Sequence, residues 1–274
     1  MPSHIFTRVG LWNDSIASNK ESARVAKEDG EQHDQAHAMD YLVYAYLQLA
    51  QDKEARAVVD ELTKLEFKIE RFPGPYAVAA SQARYAFERG DWKEAAELQV
   101  RPTKYLYVDA ITYFARAVGA ARSGNPIAAK ADIANLVELR DKLKEAKDAY
   151  WSNIVDIQQQ VASAWVLYAE GKYDEALNAM SAAAKAEDKT DKHPVTPGPL
   201  APAPSSMGQC CSTAAWPGKH LPPSKPCSRR RPIGLRLMLG RPKAPRPPAI
   251  RPRPENMRRR LLGSLRMPMY PDPS

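Results

Sequence analysis

Gly171-Lys172-Tyr173-Asp174-Glu175-Ala176-Leu177 reads as the turn between two antiparallel helices and the start of the second. Glycine admits the backbone a tight turn needs, tyrosine caps the joint, and alanine lets two helix backbones approach closely. Trp165 and Leu167 stand just upstream, on the helix that enters the turn. A single hairpin cannot bury its own apolar face, so this stretch carries meaning only if it recurs.

Gly90-Asp91-Trp92-Lys93-Glu94-Ala95-Ala96 repeats the same order of small, polar, aromatic, polar, acidic and alanine residues. Gly10-Leu11-Trp12-Asn13-Asp14-Ser15-Ile16 repeats it with serine for alanine, and degraded copies stand at Ala50-Gln51-Asp52-Lys53-Glu54-Ala55 and Gly124-Asn125-Pro126-Ile127-Ala128-Ala129. The anchors at 10, 50, 90, 124 and 171 are separated by 40, 40, 34 and 47 residues, which is a helical-repeat period. On these residues the chain resembles the tetratricopeptide repeat family over roughly 1–195, with its turn core best matched around Gly171 and Gly90. The resemblance implies an all-α fold, an α-solenoid of four to five antiparallel helical hairpins. Two repeats run long and lack the closing proline of that family, so an irregular superhelix is expected.

The net charge of +8 hides two unlike parts. Residues 1–203 carry 25 Lys and Arg against 30 Asp and Glu, whereas 204–274 carry 15 against 2. Proline is divided the same way, 9 against 15, and all three cysteines (Cys210, Cys211, Cys227) lie in the later part. The sequence therefore predicts a repeat domain over 1–199 and a disordered, basic, Pro/Arg-rich tail over 200–274. Codons allowed for Cys211 to Ile233, read in another frame, permit a near-complete repeat helix. The tail is accordingly expected to be out of frame from Pro204, leaving the last hairpin uncapped and prone to self-association. A repeat body without cysteine must rest on apolar packing. No apolar run reaches 18 residues, and Met1 to Arg8 lacks the basic start and apolar core of a signal peptide, so a soluble cytoplasmic protein with no membrane partner is expected. Set against the family, Met1 looks like an internal or truncated start.

Periodicity predicts helices over about 12–27, 34–49, 52–65, 76–89, 92–100, 105–122, 126–146, 149–169 and 173–187, after a short N-terminal piece carrying Ile5, Phe6 and Val9. Phe72-Pro73-Gly74-Pro75 is expected to break the chain as a connector. Pro126 suits a first helical turn, and Gly124 ends the helix before it.

The resemblance places partners on a concave surface made by first helices. By register, the groove candidates are His37, Asp40, Tyr41 and Tyr44, then Arg84 and Phe87, then Phe114 and Val118, then Trp165 and Tyr168. Aromatic side chains there would hold an extended peptide or apolar helix by area burial and stacking, while packing between repeats is the competing role. The carboxylate clamp of some family members is not supported, because its positions hold Asp40, Tyr44, Ser81, Ile111 and Ala115, none of them cationic. His33, His37 and Asp40 fall at i, i+4 and i+7 with His4 as a further neighbour, a spacing that suits a metal, but surface helices often carry such pairs and no general base accompanies them. Arg116 is expected to pair with a carboxylate between repeats.

No Gly-rich phosphate loop, nucleophile turn or body cysteine points to catalysis, so neither an enzyme nor a cofactor is expected. The expected function is a protein- or peptide-binding scaffold. The alternatives are a helical accessory domain of a larger metal-dependent or secreted hydrolytic protein, and nucleic-acid binding through Arg229–Arg231 and Arg258–Arg260 of the tail.

Overall fold

The computed structural model describes residues 2–69, 71–191, 193, 195–206 and 208. All lie in the first of two units, Met1–Gly234; the second, Leu235–Ser274, contains none of them. Among the described residues there are ten helices and no strand: α1 (Pro2–Val9), α2 (Trp12–Glu28), α3 (Gln32–Gln48), α4 (Asp52–Leu62), α5 (Pro73–Arg89), α6 (Trp92–Ala96), α7 (Leu106–Arg122), α8 (Pro126–Glu145), α9 (Ala149–Ala169) and α10 (Tyr173–Asp188). A further helical turn covers 203–206.

Consecutive helices pair as five hairpins, and each second helix also packs on the first helix that follows it. The first helices touch in series, α1 on α3, α3 on α5, α5 on α7 and α7 on α9, whereas the second helices α2, α4 and α6 are linked through surface ion pairs, Lys27–Glu61 and Arg56–Glu94. That arrangement places the first helices inside and the second helices outside, which is a helical-repeat solenoid.

The turns explain the period. Gly10, Gly90, Gly124 and Gly171 all take positive φ, between 68° and 84°, and Ala50 holds the fifth such turn at φ 56°. A left-handed alanine costs about 1–2 kcal/mol, so the second hairpin keeps a strained link where its siblings have glycine. Between the turns, alanine dominates the inner helices: Ala36, Ala38, Ala45, Ala80, Ala83, Ala86, Ala110, Ala115, Ala117, Ala162 and Ala164 are buried. Short side chains let the stacked helices approach.

One close backbone approach is at Gly119 of α7. A Cβ there would lie 2.5 Å from the Ala96 backbone nitrogen and 2.6 Å from the Trp92 carbonyl oxygen. Beside this contact the Arg122 guanidinium lies between two indoles, 3.7 Å from the Trp92 ring centre and 4.2 Å from that of Trp165. One cation thus joins α6, α7 and α9.

Three expectations are corrected. Pro73 does not break the chain; it opens α5, where a missing N–H costs nothing. Helix α6 stops at Ala96 rather than near 100: the Glu97 N–H bonds back to both Lys93 and Glu94 and the Leu98 N–H to Ala95, a tightened last turn, and Arg116 Nη1 reaches the Leu98 carbonyl just beyond it at 3.4 Å. The packed body also continues past 199. Leu200 and Ala203 are buried in the same apolar cluster as Met180, Ala183 and Ala184 of α10, and the Ala203 N–H donates to Glu187 Oε2 at 2.7 Å. The remaining tail, with its basic runs, cysteines and the stretch assigned to another frame, lies outside the described residues.

Candidate functional site

The groove candidates occupy the inner helices, yet most point into packing rather than into open space. Asp40, Tyr41, Tyr44, Arg84, Phe87, Phe114, Val118 and Trp165 are buried, and only His37 and Tyr168 are half-buried. Phe87 meets Phe114 edge to face at 5.7 Å and Trp92 at 5.8 Å, so it fills the space between α5, α6 and α7. Trp165 holds Arg122, Tyr168 packs 5.1 Å from Tyr173 at the last turn, and Tyr44 meets Trp12 edge to face at 5.7 Å. The physical reason is position along the helix. Apart from His37, Asp40 and Tyr41, these residues sit in the later part of each inner helix, where the neighbouring turn and second helix cover them.

The histidine and aspartate spacing does not assemble a metal centre. His33 Nε2–H donates to the Ile69 carbonyl at 2.7 Å and its ring stacks on Phe67, while Asp40 turns to Arg84. Among the described residues no three His, Cys, Asp or Glu side chains converge as ligands. His4 does meet His37, Nε2 to Nε2 at 3.0 Å, beside Tyr41. One ring donates its N–H to the lone pair of the other, so the contact requires at least one neutral imidazole. Burial, followed by the neighbouring His4, lowers the His37 pKa to about 4.

A folded-state pKa below the ordinary value of ~6.5 means that the unfolded chain binds more protons between pH 6.5 and 4. Stability from this contact is therefore present above pH ~6.5 and lost as pH falls toward 4. Going from pH 7 to 4.5 should cost the wild type on the order of 2 kcal/mol more than His37→Gln. Urea unfolding of both proteins at the two pH values checks it, and equal losses would remove the role assigned to His37.

Asp40 and Arg84, each 2 % exposed, face one another across α3 and α5 at 3.5 Å. That distance makes an ion pair rather than a good hydrogen bond, and Asp40 Oδ1, Arg84 Nε and Arg84 Nη2 have no hydrogen-bond partner. Burial pushes the Asp40 carboxyl up to about 6 against the pull of Arg84. The guanidinium also lies 4.9 Å from the Tyr44 ring centre. Arg116 pairs with Asp132 of α8 at 3.1 Å, so its partner belongs to its own hairpin rather than to a neighbouring repeat.

A second set of aromatics lies at the opposite, N-terminal end of the same inner-helix stripe. Phe72 and Tyr76 open α5, Tyr107 lies in the first turn of α7, and Tyr150 and Trp151 lie in that of α9. Tyr107 and Trp151 stack at 4.1 Å with planes 7° apart, and Phe72 lies 5.3 Å from Tyr76 and 6.0 Å from Trp151. Asp148 Oδ1 accepts the Trp151 N–H at 3.1 Å, an N-cap that fixes the first turn of α9. The set is only partly covered: Phe72, Tyr107, Tyr150 and Trp151 are half-buried.

What covers it is the chain itself. Leaving α10, Thr190 Oγ1 accepts from Asn153 Nδ2 at 2.8 Å and the Asp191 carbonyl from the Tyr150 hydroxyl at 3.2 Å. The His193 ring lies 5.2 Å from both Phe72 and Trp151. The Tyr41 hydroxyl donates to the Val195 carbonyl at 3.2 Å, and Thr196 is buried.

No family model, curated protein or solved structure matches this chain.

The site therefore rests on its own geometry. Sequence reasoning missed Phe72, Tyr76, Tyr107, Tyr150 and Trp151, although a signal was present. Counting back along the stripe from Phe114 in steps of 3 and 4 reaches Ile111 and Tyr107, and counting back from Trp165 in steps of 3, 4, 4 and 3 reaches Trp151. Among the described residues no helix is long and apolar enough to cross a membrane.

Proposed function

We propose that the protein is a tetratricopeptide-like binding scaffold rather than a catalyst, holding a protein or peptide partner in the channel lined by the first turns of α5, α7 and α9. The observation that carries this reading is the half-buried array of Phe72, Tyr107, Tyr150 and Trp151 around the buried Tyr76, contributed by three successive inner helices. Each ring is large and stiff, so docking against it buries area at little entropic cost. Stacked hairpins hold the rings in fixed register, which is the preorganisation a peptide site needs. The five left-handed turns at the repeat anchors support kinship with that repeat class. A cytoplasmic setting belongs to the same proposal, whereas Leu200 and Ala203 already cover the face of α10 that was expected to self-associate.

The test is selection of peptides from a displayed random library on the full chain. Binders should emerge whose affinity falls about tenfold or more with Trp151→Ala, while Tyr173→Ala on the outer turn leaves it unchanged. Helical circular dichroism confirms that each variant is folded. A selection that yields no binders, or binders indifferent to Trp151, would remove the channel as the site.

A further inference from the structure

The channel is already filled, and the nature of the filling says what fits. The segment after α10 leaves that helix at Asp188, enters the channel through Asp191, His193, Val195 and Thr196, and returns to α10 where the Ala203 N–H meets Glu187. Its contacts reach α3, α5 and α9, so one short strap ties together inner helices from three hairpins. Residues 189–203 contain Pro194, Pro197, Pro199 and Pro202.

The lining offers hydroxyl donors and ring faces. Tyr41 and Tyr150 present hydroxyl donors, both used on main-chain carbonyls, and Phe72, Tyr107 and Trp151 present ring faces. Carbonyls entering there find hydroxyl donors, as those of Asp191 and Val195 do. Proline supplies a carbonyl without an N–H, presents a flat apolar ring to aromatic faces, and loses little entropy on being held.

We propose that residues 189–203 are an internal stand-in for the partner, and that the partner is a proline-rich, non-helical peptide segment of another protein that displaces this strap from the channel. The proposal rests on the scaffold reading and adds the ligand class and a mode of control to it. Held on the same chain, the strap has an effective concentration in the millimolar range, so a partner binds in competition with it. Partner affinity is then set by how readily the strap leaves.

The probe is a fluorescein-labelled synthetic peptide spanning 189–203, titrated onto the full chain. His193→Gly/Thr196→Gly, which loosens the strap at its ring contacts and its buried threonine, should bind the peptide about tenfold tighter than wild type. Replacing the four prolines of the peptide by alanine should weaken binding by about tenfold, and Trp151→Ala should weaken it in either background. Deuterium exchange on the wild type gives a second measure that does not depend on the variant folding. Saturating peptide should raise exchange across 195–206, where the Ala203 and Ser206 amides are bonded. If library-selected peptides bind through Trp151 but the 189–203 probe neither gains affinity on loosening nor exposes the strap, this proposal falls and the scaffold stands. If no peptide binds through Trp151, both fall.

Discussion

Arg84→Met is expected to destabilise the protein by about 3–5 kcal/mol at pH 7.5, the largest effect of any single charge removal in the body. The substitution keeps most of the side-chain volume but leaves the Asp40 carboxylate 2 % exposed with no counter-charge. Burial already holds that carboxyl at about 6, so without Arg84 it rises further and the protein must bind a proton to fold. The sign follows directly. A carboxyl whose folded pKa lies above its unfolded value favours folding below ~4 and loses that contribution as pH rises through the folded value. The deficit of Arg84→Met should therefore shrink at pH 5, where Asp40 is protonated. Removing both charges, as Arg84→Met/Asp40→Leu, should recover most of the loss, because replacing a buried pair by apolar groups is often neutral or stabilising. Urea unfolding followed at 222 nm, at pH 7.5 and 5, measures all three. A single-mutant loss below ~1 kcal/mol at pH 7.5 would show that water reaches the pair and that its three unpartnered atoms are solvated.

Gly119→Ala is expected to cost about 3 kcal/mol, at the upper end of overpacking effects. The added methyl meets backbone, not a side chain that can swing away: the Ala96 nitrogen at 2.5 Å and the Trp92 oxygen at 2.6 Å. Relief requires α6 to move off α7, and α6 has only five residues to hold its place. Moving it also withdraws Trp92 from Arg122. Thermal unfolding gives the stability, and near-ultraviolet circular dichroism reports the tryptophan environment. Gly124→Ala is the control, because nothing lies within 4 Å of its added methyl and its penalty comes from φ 84° alone, about 1–2 kcal/mol. Similar near-ultraviolet spectra for the two variants would contradict a specific displacement of α6.

Local signals carried the fold, and long-range ones hid the site. The turns were legible because Gly10, Gly90, Gly124 and Gly171 need a conformation that few other residues adopt, and spacing alone recovered Ala50. Helix limits followed to within a few residues wherever the stop was local. They failed at Pro73, where first-turn and breaker roles look alike in sequence, and at α6, which closes early at Glu97 with no glycine or proline there to mark the stop. The inner stripe was correctly placed on the first helices, but periodicity does not say which end of a helix its neighbours cover. Trp165 and Trp151 occupy one stripe, yet one is sealed around Arg122 and the other is half-buried. The strap was the least legible element. Tyr41 and Val195 are 154 residues apart, and proline-rich sequence reads as absence of structure until its partners are known.

The Arg122 sandwich gives the array a direction. A guanidinium stays charged at every pH the protein meets, so the junction of Trp92, Arg122 and Trp165 is indifferent to acid. The His4–His37 junction needs an uncharged ring and surrenders it as protons accumulate. Acidification consequently loosens the contact of α1 with α3 and leaves the Trp92–Arg122–Trp165 clasp unchanged, so the two ends of the array answer protons differently.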